Sequence, residues 1–403
     1  MEPDLPPSRI EAIDFLRGVA VLGILAINVT GFWGPSLATF SPAIPTPDSG
    51  GGVWYGFAFV VFEGKMRALF SLLFGASMVL FAQAAERQGA DPDLAQLRRL
   101  LWLALFGYLH FALLWWGDIL FPYALCGLGA LALRRISPVG LTFIALSIYL
   151  FSHMIEAILS VPGIITEQSV LAGGGMASEI AEQSGMMANI AASVCSDIAI
   201  LNAGFVQAAI LKLSSSALQP LEVTFATFTE TLPLMMIGMA MVRSGFFTTW
   251  PPRRLAAIAI VGIVLGGLPS LLCLQWLAAH HWPPRAMFAT LQSVMAVPHL
   301  LMALGYAAGL LLLFPRICRN WLGHTLTAAG RCAFTNYIGT SLLMSAIFCG
   351  WGLGLGPELP RVWLPAFVIL GWIAMLVWPR YWLARFGQGP LEAWWRQLSL
   401  PRR

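Results

Sequence analysis

Apolar stretches long enough to cross a bilayer recur along this chain, and they limit its fold more than any other feature. A helix needs about 20 mostly apolar residues to span a hydrocarbon core about 30 Å thick. Such stretches fall at roughly 12–34, 56–84, 99–116, 118–134, 138–160, 222–243, 255–279, 286–314, 321–349 and 361–379. Only 10% of the residues are charged, against about 25% in a soluble domain. The expected fold class is an all-α polytopic membrane protein with about 10 transmembrane helices and room for an eleventh. Three parts follow: residues 1–160, an N-terminal five-helix membrane half; 161–221, an external segment of loop and amphipathic helix; and 222–403, a C-terminal membrane half with a cytoplasmic tail.

With the N-terminus inside, Arg98, Arg99, Arg134, Arg135, Arg243, Arg253, Arg254, Arg316, Arg319, Arg380 and Arg385 share the cytoplasmic side, and only Lys212, Arg285 and Arg361 fall opposite. This bias orients membrane proteins, so both termini are expected in the cytoplasm, in a cytoplasmic (inner) membrane. Reading Met186–Leu213 as a span would move Arg243, Arg253 and Arg254 outside, so 161–221 is expected to lie over the bundle mouth. The net charge of +4 sits at segment ends and does not indicate nucleic acid. None of the six cysteines forms a C-x-x-C pair, which predicts neither a structural disulfide nor a cysteine metal site.

Several spans carry charge, which lipid does not tolerate on an outward face. In the first, residues 9–32, Asp14, Arg17 and Asn28 fall within one narrow sector at about 100° per residue. In the second, Glu63 and Arg67 are four apart with the acid first, the spacing of a helical ion pair, and Lys65 points away to snorkel. The third carries His110, about 16 Å of helix beyond Arg99, with Asp118 just past its end. In the ninth, His324, Thr327, Arg331 and Thr335 make a polar stripe suited to an anionic ligand, with Asn336 beside it. Each set has a plain alternative: a structural ion pair, a hydrogen-bonded core histidine or a wet packing seam. His153 and Glu156 form a single H-x-x-E, weak evidence for a metal without a second such pair.

DFLRGVAVLGILAIN at 14–28, FEGKMRALFSLLFGA at 62–76, RRLLWLALFGYLHFALLWWGDILFPYALCG at 98–127, GRCAFTNYIGTSLL at 330–343 and FGQGPLEAWWRQL at 386–398 together resemble the YeiB-like family, domain of unknown function 418, over nearly the full length. The opening D-x-x-R-G…N pattern is also similar to a wider superfamily of membrane acyltransferases that includes the lysosomal heparan-glucosaminide acetyltransferase. That likeness implies transfer of an acyl group from a cytoplasmic acyl-CoA, usually acetyl-CoA, to an extracytoplasmic or lipid or sugar acceptor. The acetyltransferase keeps its catalytic His in the first external loop; residues 34–52 here contain none, so His110 of the YeiB-like pattern takes the candidate role.

The expected catalytic set is His110 as base or acyl carrier, Asn28 as oxyanion donor, and Asp118 or Glu63 orienting the imidazole. Asp14, Arg17, Arg67, His324, Arg331, Thr335 and Asn336 are expected to hold substrate or donor. Acyl-CoA is the donor and no metal is expected. Expected partners are membrane lipids and an envelope glycan, lipid or small-molecule acceptor, with a homodimer left open. The alternatives are a proton-coupled transporter or permease, with Glu63, Asp118 and His110 as relays, and an envelope assembly factor.

Overall fold

The computed structural model describes residues 7–45, 52–356 and 358–399, and no strand occurs among them. Polar side chains set several helix starts. Asp91 accepts from the Asp93 and Leu94 amides, with Pro92 in the first turn, and opens α4 (Pro92–Leu113). Ser137 does the same for Gly140, with Pro138 following, and opens α6 (Pro138–Leu171). Among the described residues eight helical segments are long and apolar enough to cross a membrane, which makes this an all-helical membrane protein. Among the segments are α1 (Pro7–Trp33) and the joined pair α2 (Gly52–Val61) and α3 (Lys65–Arg87). Others are α9 (Gln219–Arg243), α10 (Pro252–Ala279), α12 (Ala296–Ile317) and α15 (Leu364–Phe386). Two apolar helices are shorter, α5 (Leu120–Ala132) and α14 (Ala333–Phe348).

Where charge is absent and lipid is as apolar as leucine, helices associate through close backbone approach at small residues. A Cβ on Gly75 of α3 would collide with the Met235 carbonyl of α9, and one on Gly238 of α9 would collide with the Leu72 carbonyl of α3. Gly18 of α1 and Gly330 of α13 (Trp321–Arg331) make the same reciprocal contact through the Leu326 and Asp14 carbonyls. Gly238→Leu is therefore expected to cost at least ~1–3 kcal/mol by overpacking. A lower thermal midpoint in detergent, read by loss of the monodisperse chromatographic peak, checks this.

Boundaries differ from the sequence reading in several places. The helix begun at residue 138 runs on to Leu171 rather than ending near 160, because its outer turns continue as an exposed apolar helix. The span expected over 321–349 is two helices, broken at Cys332, where φ −110° and ψ 27° leave helical geometry. Finally, α7 (Ala177–Asn202) meets the length and composition of a span, yet its contacts lie at one end of the bundle. Glu182 pairs with Arg285 in α11 (Pro284–Ala289), Asp197 accepts from Ser36 just beyond α1, and the Leu201 carbonyl accepts from Gly350 just beyond α14. So α7 lies across that end, with α8 (Phe205–Ser216) next to it. At the opposite, arginine-rich end, α16 (Pro390–Ser399) docks through Trp395, whose Nε1 donates to the Arg99 carbonyl at 2.8 Å.

Candidate functional site

A cavity of about 450 Å³ lies in the half of the bundle away from the arginine-rich end. Apolar walls come from α1 and the α4–α5 loop, as Ile24, Ile27, Trp115 and Trp116. Its polar groups include Asn28, Glu63, Arg67, Asp118, Tyr123, His153, Glu156, Glu230 and Gln292.

The break between α2 and α3 brings Glu63 there. Gly64 sits at φ 70°, a left-handed conformation that favours glycine, and the His299 ring fills the space a Cβ would need. The broken helix leaves carbonyls without helical partners, and fully buried Lys65 donates from Nζ to the Phe59 carbonyl at 2.7 Å. Lys65 therefore closes a helix C-terminus and does not snorkel. The helical ion pair expected between Glu63 and Arg67 is also replaced. Glu63 precedes α3, and Arg67 reaches across to Glu230 on α9, at 3.0 Å. Behind Arg67, the Tyr123 and Ser71 hydroxyls lie 2.7 Å apart.

The α4–α5 loop holds the histidine site. Trp115 and Trp116 both donate from Nε1 to the Gly31 carbonyl near the end of α1, at 3.0 and 3.1 Å. This anchors the loop below the α1 terminus. Asp118 accepts the Phe121 amide at 2.8 Å and contacts His110 Nδ1 at 2.9 Å, with both side chains buried. The Nδ1 proton is thereby directed to the carboxylate, which leaves Nε2 as the basic nitrogen, and Nε2 is buried with no partner among the described residues. The His110 ring packs on Tyr337, 5.1 Å between centroids. Asp118 lines the cavity and His110 lies behind it.

The expected donor-binding residues divide. Arg67 is in the cavity wall, but Asp14, Arg17, His324, Arg331, Thr335 and Asn336 are outside it, toward the other end. Asp14 and Arg17 pair at 2.5 Å, about 16–21 Å of helix from Asn28. Because Cys332 interrupts the helix, the stripe from His324 to Thr335 is not continuous. Arg331 donates to the Gly387 carbonyl at 2.7 Å, and Thr335 donates through its amide (3.0 Å) and hydroxyl (2.5 Å) to Glu392 of α16. Asn336 donates to the Ala329 carbonyl freed at the break, and accepts from Trp378. These three side chains hold helices together, whereas His324 is exposed. The two polar sets do not meet in one cavity.

Glu230, Tyr123 and His299 escaped the sequence reading. Glu230 sits two residues before an apolar run with no charge at helical spacing, so only its partner across the bundle marks it. His153, read as half of a weak metal motif, places Nδ1 2.7 Å from the Tyr149 carbonyl and lines the cavity. No group of three or more His, Cys, Asp or Glu among the described residues is arranged to hold a metal.

Residues 241–402 match the family described as "protein of unknown function (DUF418)". The Escherichia coli (strain K12) protein YeiB, described as uncharacterized, is 30% identical over 96% of this chain and 95% of its own. This chain belongs to the YeiB-like DUF418 family. Another similar protein is the uncharacterized YxaH of Bacillus subtilis (strain 168), 28% identical over 99% of this chain and 96% of its own. No solved structure matches the chain significantly. Membership of the YeiB-like family rests on likeness along the whole length, so the residues of the central cavity and those at the arginine-rich end all lie within the shared region.

Proposed function

We propose that this YeiB-like protein is an integral-membrane acyltransferase. It would transfer an acyl group from a cytoplasmic acyl-CoA, such as acetyl-CoA, to an acceptor reaching the central cavity. The observation that carries the reading is the buried His110–Asp118 pair, with Nε2 free of any partner, directly behind the cavity wall. A carboxylate on Nδ1 that leaves Nε2 basic is the arrangement of a general base.

In the proposed step a movement of the Trp115–Trp116 loop admits the acceptor to the buried His110 Nε2, which takes the proton from its hydroxyl or amine. The acceptor oxygen or nitrogen bonds to the thioester carbonyl carbon, and the carbon–sulfur bond breaks. The leaving thiolate takes the proton back from His110 and departs as free coenzyme A. The Asn28 amide lines the cavity and makes no side-chain hydrogen bond to the described residues, so its N–H groups are available to the carbonyl oxygen as charge develops. Arg17, His324 and Arg331 lie at the other end, where the donor's phosphates would approach. The topology that fits is about ten crossings, with both termini and the arginine-rich end cytoplasmic, in the inner membrane.

A second reading has its own support. The interruptions at 62–64 and at the π-turn Thr290–Val294 both contribute cavity residues, Glu63 and Gln292, as broken helices do at transporter substrate sites. Proteoliposomes separate the two. With labelled acetyl-CoA outside and an envelope extract inside, label in a covalent product is expected. Gradient-driven accumulation of a solute, with no covalent product from acetyl or longer acyl donors, would favour transport.

A further inference from the structure

A second cavity of about 440 Å³ opens beside the first, between α6 and α11 with its π-turn. The two share Glu156 and Gln292 as lining residues, so they adjoin through a common wall. The second cavity adds Leu159, Ser160, Phe288 and Ala289, apolar but for the Ser160 hydroxyl.

Its depth is informative. Glu156–Gly163 lies about 27–38 Å along α6 from its start at the arginine-rich end, and the hydrocarbon core is about 30 Å thick. The mouth therefore straddles the far interface, where headgroups meet acyl chains. The α6 surface beside it is bare apolar side chain: Met154, Ile158, Leu159 and Ile165 are all exposed. The outer rim is a fixed frame. Fully buried Glu167 of α6 accepts the Arg285 and Ala286 amides at 2.9 and 3.2 Å, capping α11. Arg285 in turn pairs with Glu182 of α7 at 2.6 Å, which neutralises its charge. Inside, the central cavity presents four carboxylates (Glu63, Asp118, Glu156 and Glu230) against the guanidinium of Arg67.

We propose that this mouth is a lateral portal through which a membrane lipid with an amine-bearing headgroup enters the central cavity from the outer interface. The chain would lie on Leu159 and Phe288, and the ammonium would pass Glu156 toward Glu63 and Glu230. The proposal rests on the reading of the central cavity as the acceptor chamber and names its occupant; it does not depend on the transfer chemistry.

The test uses the full-length protein in vesicles of phosphatidylcholine doped with a phosphatidylethanolamine that carries a photoactivatable diazirine in its acyl chain. After irradiation and digestion, adducts are expected to concentrate on residues 156–163 and 285–293. An excess of unlabelled phosphatidylethanolamine should reduce them several-fold, whereas the water-soluble headgroup glycerophosphoethanolamine should not. Ser160→Trp, which plugs the mouth, should lower capture several-fold, and Leu265→Trp on the exposed face of α10 should leave it unchanged. Equal adduct density on α10 and at the mouth, or full displacement by the soluble headgroup, would overturn the portal. Mapping in the unmodified protein decides the matter even if Ser160→Trp fails to fold. Capture by the unmodified protein with no transfer from acetyl or longer acyl donors would sink only the acyltransfer reading and leave the portal standing.

Discussion

Replacing His110 by Ala is expected to lower acyl transfer by about 10²- to 10⁴-fold, the usual contribution of a positioned general base. Donor binding should be nearly unchanged, because His110 lies behind Asp118 and outside the cavity wall. Asp118→Asn is the sharper variant. An amide keeps an oxygen for the Phe121 N–H and nearly the same volume, so the start of α5 should survive. It cannot, however, both serve that N–H and hold the Nδ1 proton as a carboxylate does, so the imidazole loses its enforced tautomer. Asp118→Asn should therefore fold with a thermal midpoint close to the parent protein, and both variants should fail in single-turnover transfer from labelled acetyl-CoA. Unimpaired transfer in both would remove His110 from the chemistry.

The second large effect is expected at Arg361, which is 1% exposed yet has no carboxylate partner among the described residues. Its guanidinium donates to the carbonyls of Ser41 and Ile44, each at 3.2 Å, and to that of Ala38. It also lies over the Trp33 ring at 5.5 Å. These carbonyls belong to the irregular segment after α1, whose Thr39 and Phe40 roof the cavity. Irregular backbone at this depth is tolerated only when its polar groups are satisfied. Arg361→Met should leave two buried carbonyls, of Ala38 and Ser41, and the partly buried one of Ile44 without this donor, at about 1–3 kcal/mol for each buried one. The expected result is a loss of several kcal/mol in stability and faster proteolysis near residue 40. Arg361→Lys should recover only part, because an ammonium lacks the planar fork that reaches several carbonyls at once. A stability equal to the parent's in Arg361→Met would show that the roof is held by other contacts.

The membrane class, the all-helical fold and the pairing of His110 with Asp118 were legible in the sequence. Apolar length is a local property, and eight residues with one tight loop between them leave a histidine and an acid few other ways to be placed. Family likeness was carried by contiguous motifs and needed no structure.

What only the tertiary structure decided concerns partners that are distant in sequence. Arg67 has an acid four residues before it, yet a left-handed glycine removes that acid from the helix, and the nearest carboxylate becomes Glu230 on another helix. The stripe from His324 to Thr335 assumes an unbroken 100° step, and one non-helical residue at Cys332 cancels it. Of the ninth span, Thr335 is taken by Glu392 of α16, which arrives from 57 residues away in sequence, and Asn336 by Trp378 of α15. Helical periodicity predicts which side chains share a face only while the helix continues. Lipid makes every polar group seek a partner inside the bundle, and which one it finds is fixed by packing at glycines such as Gly75 and Gly238, not by spacing along the chain.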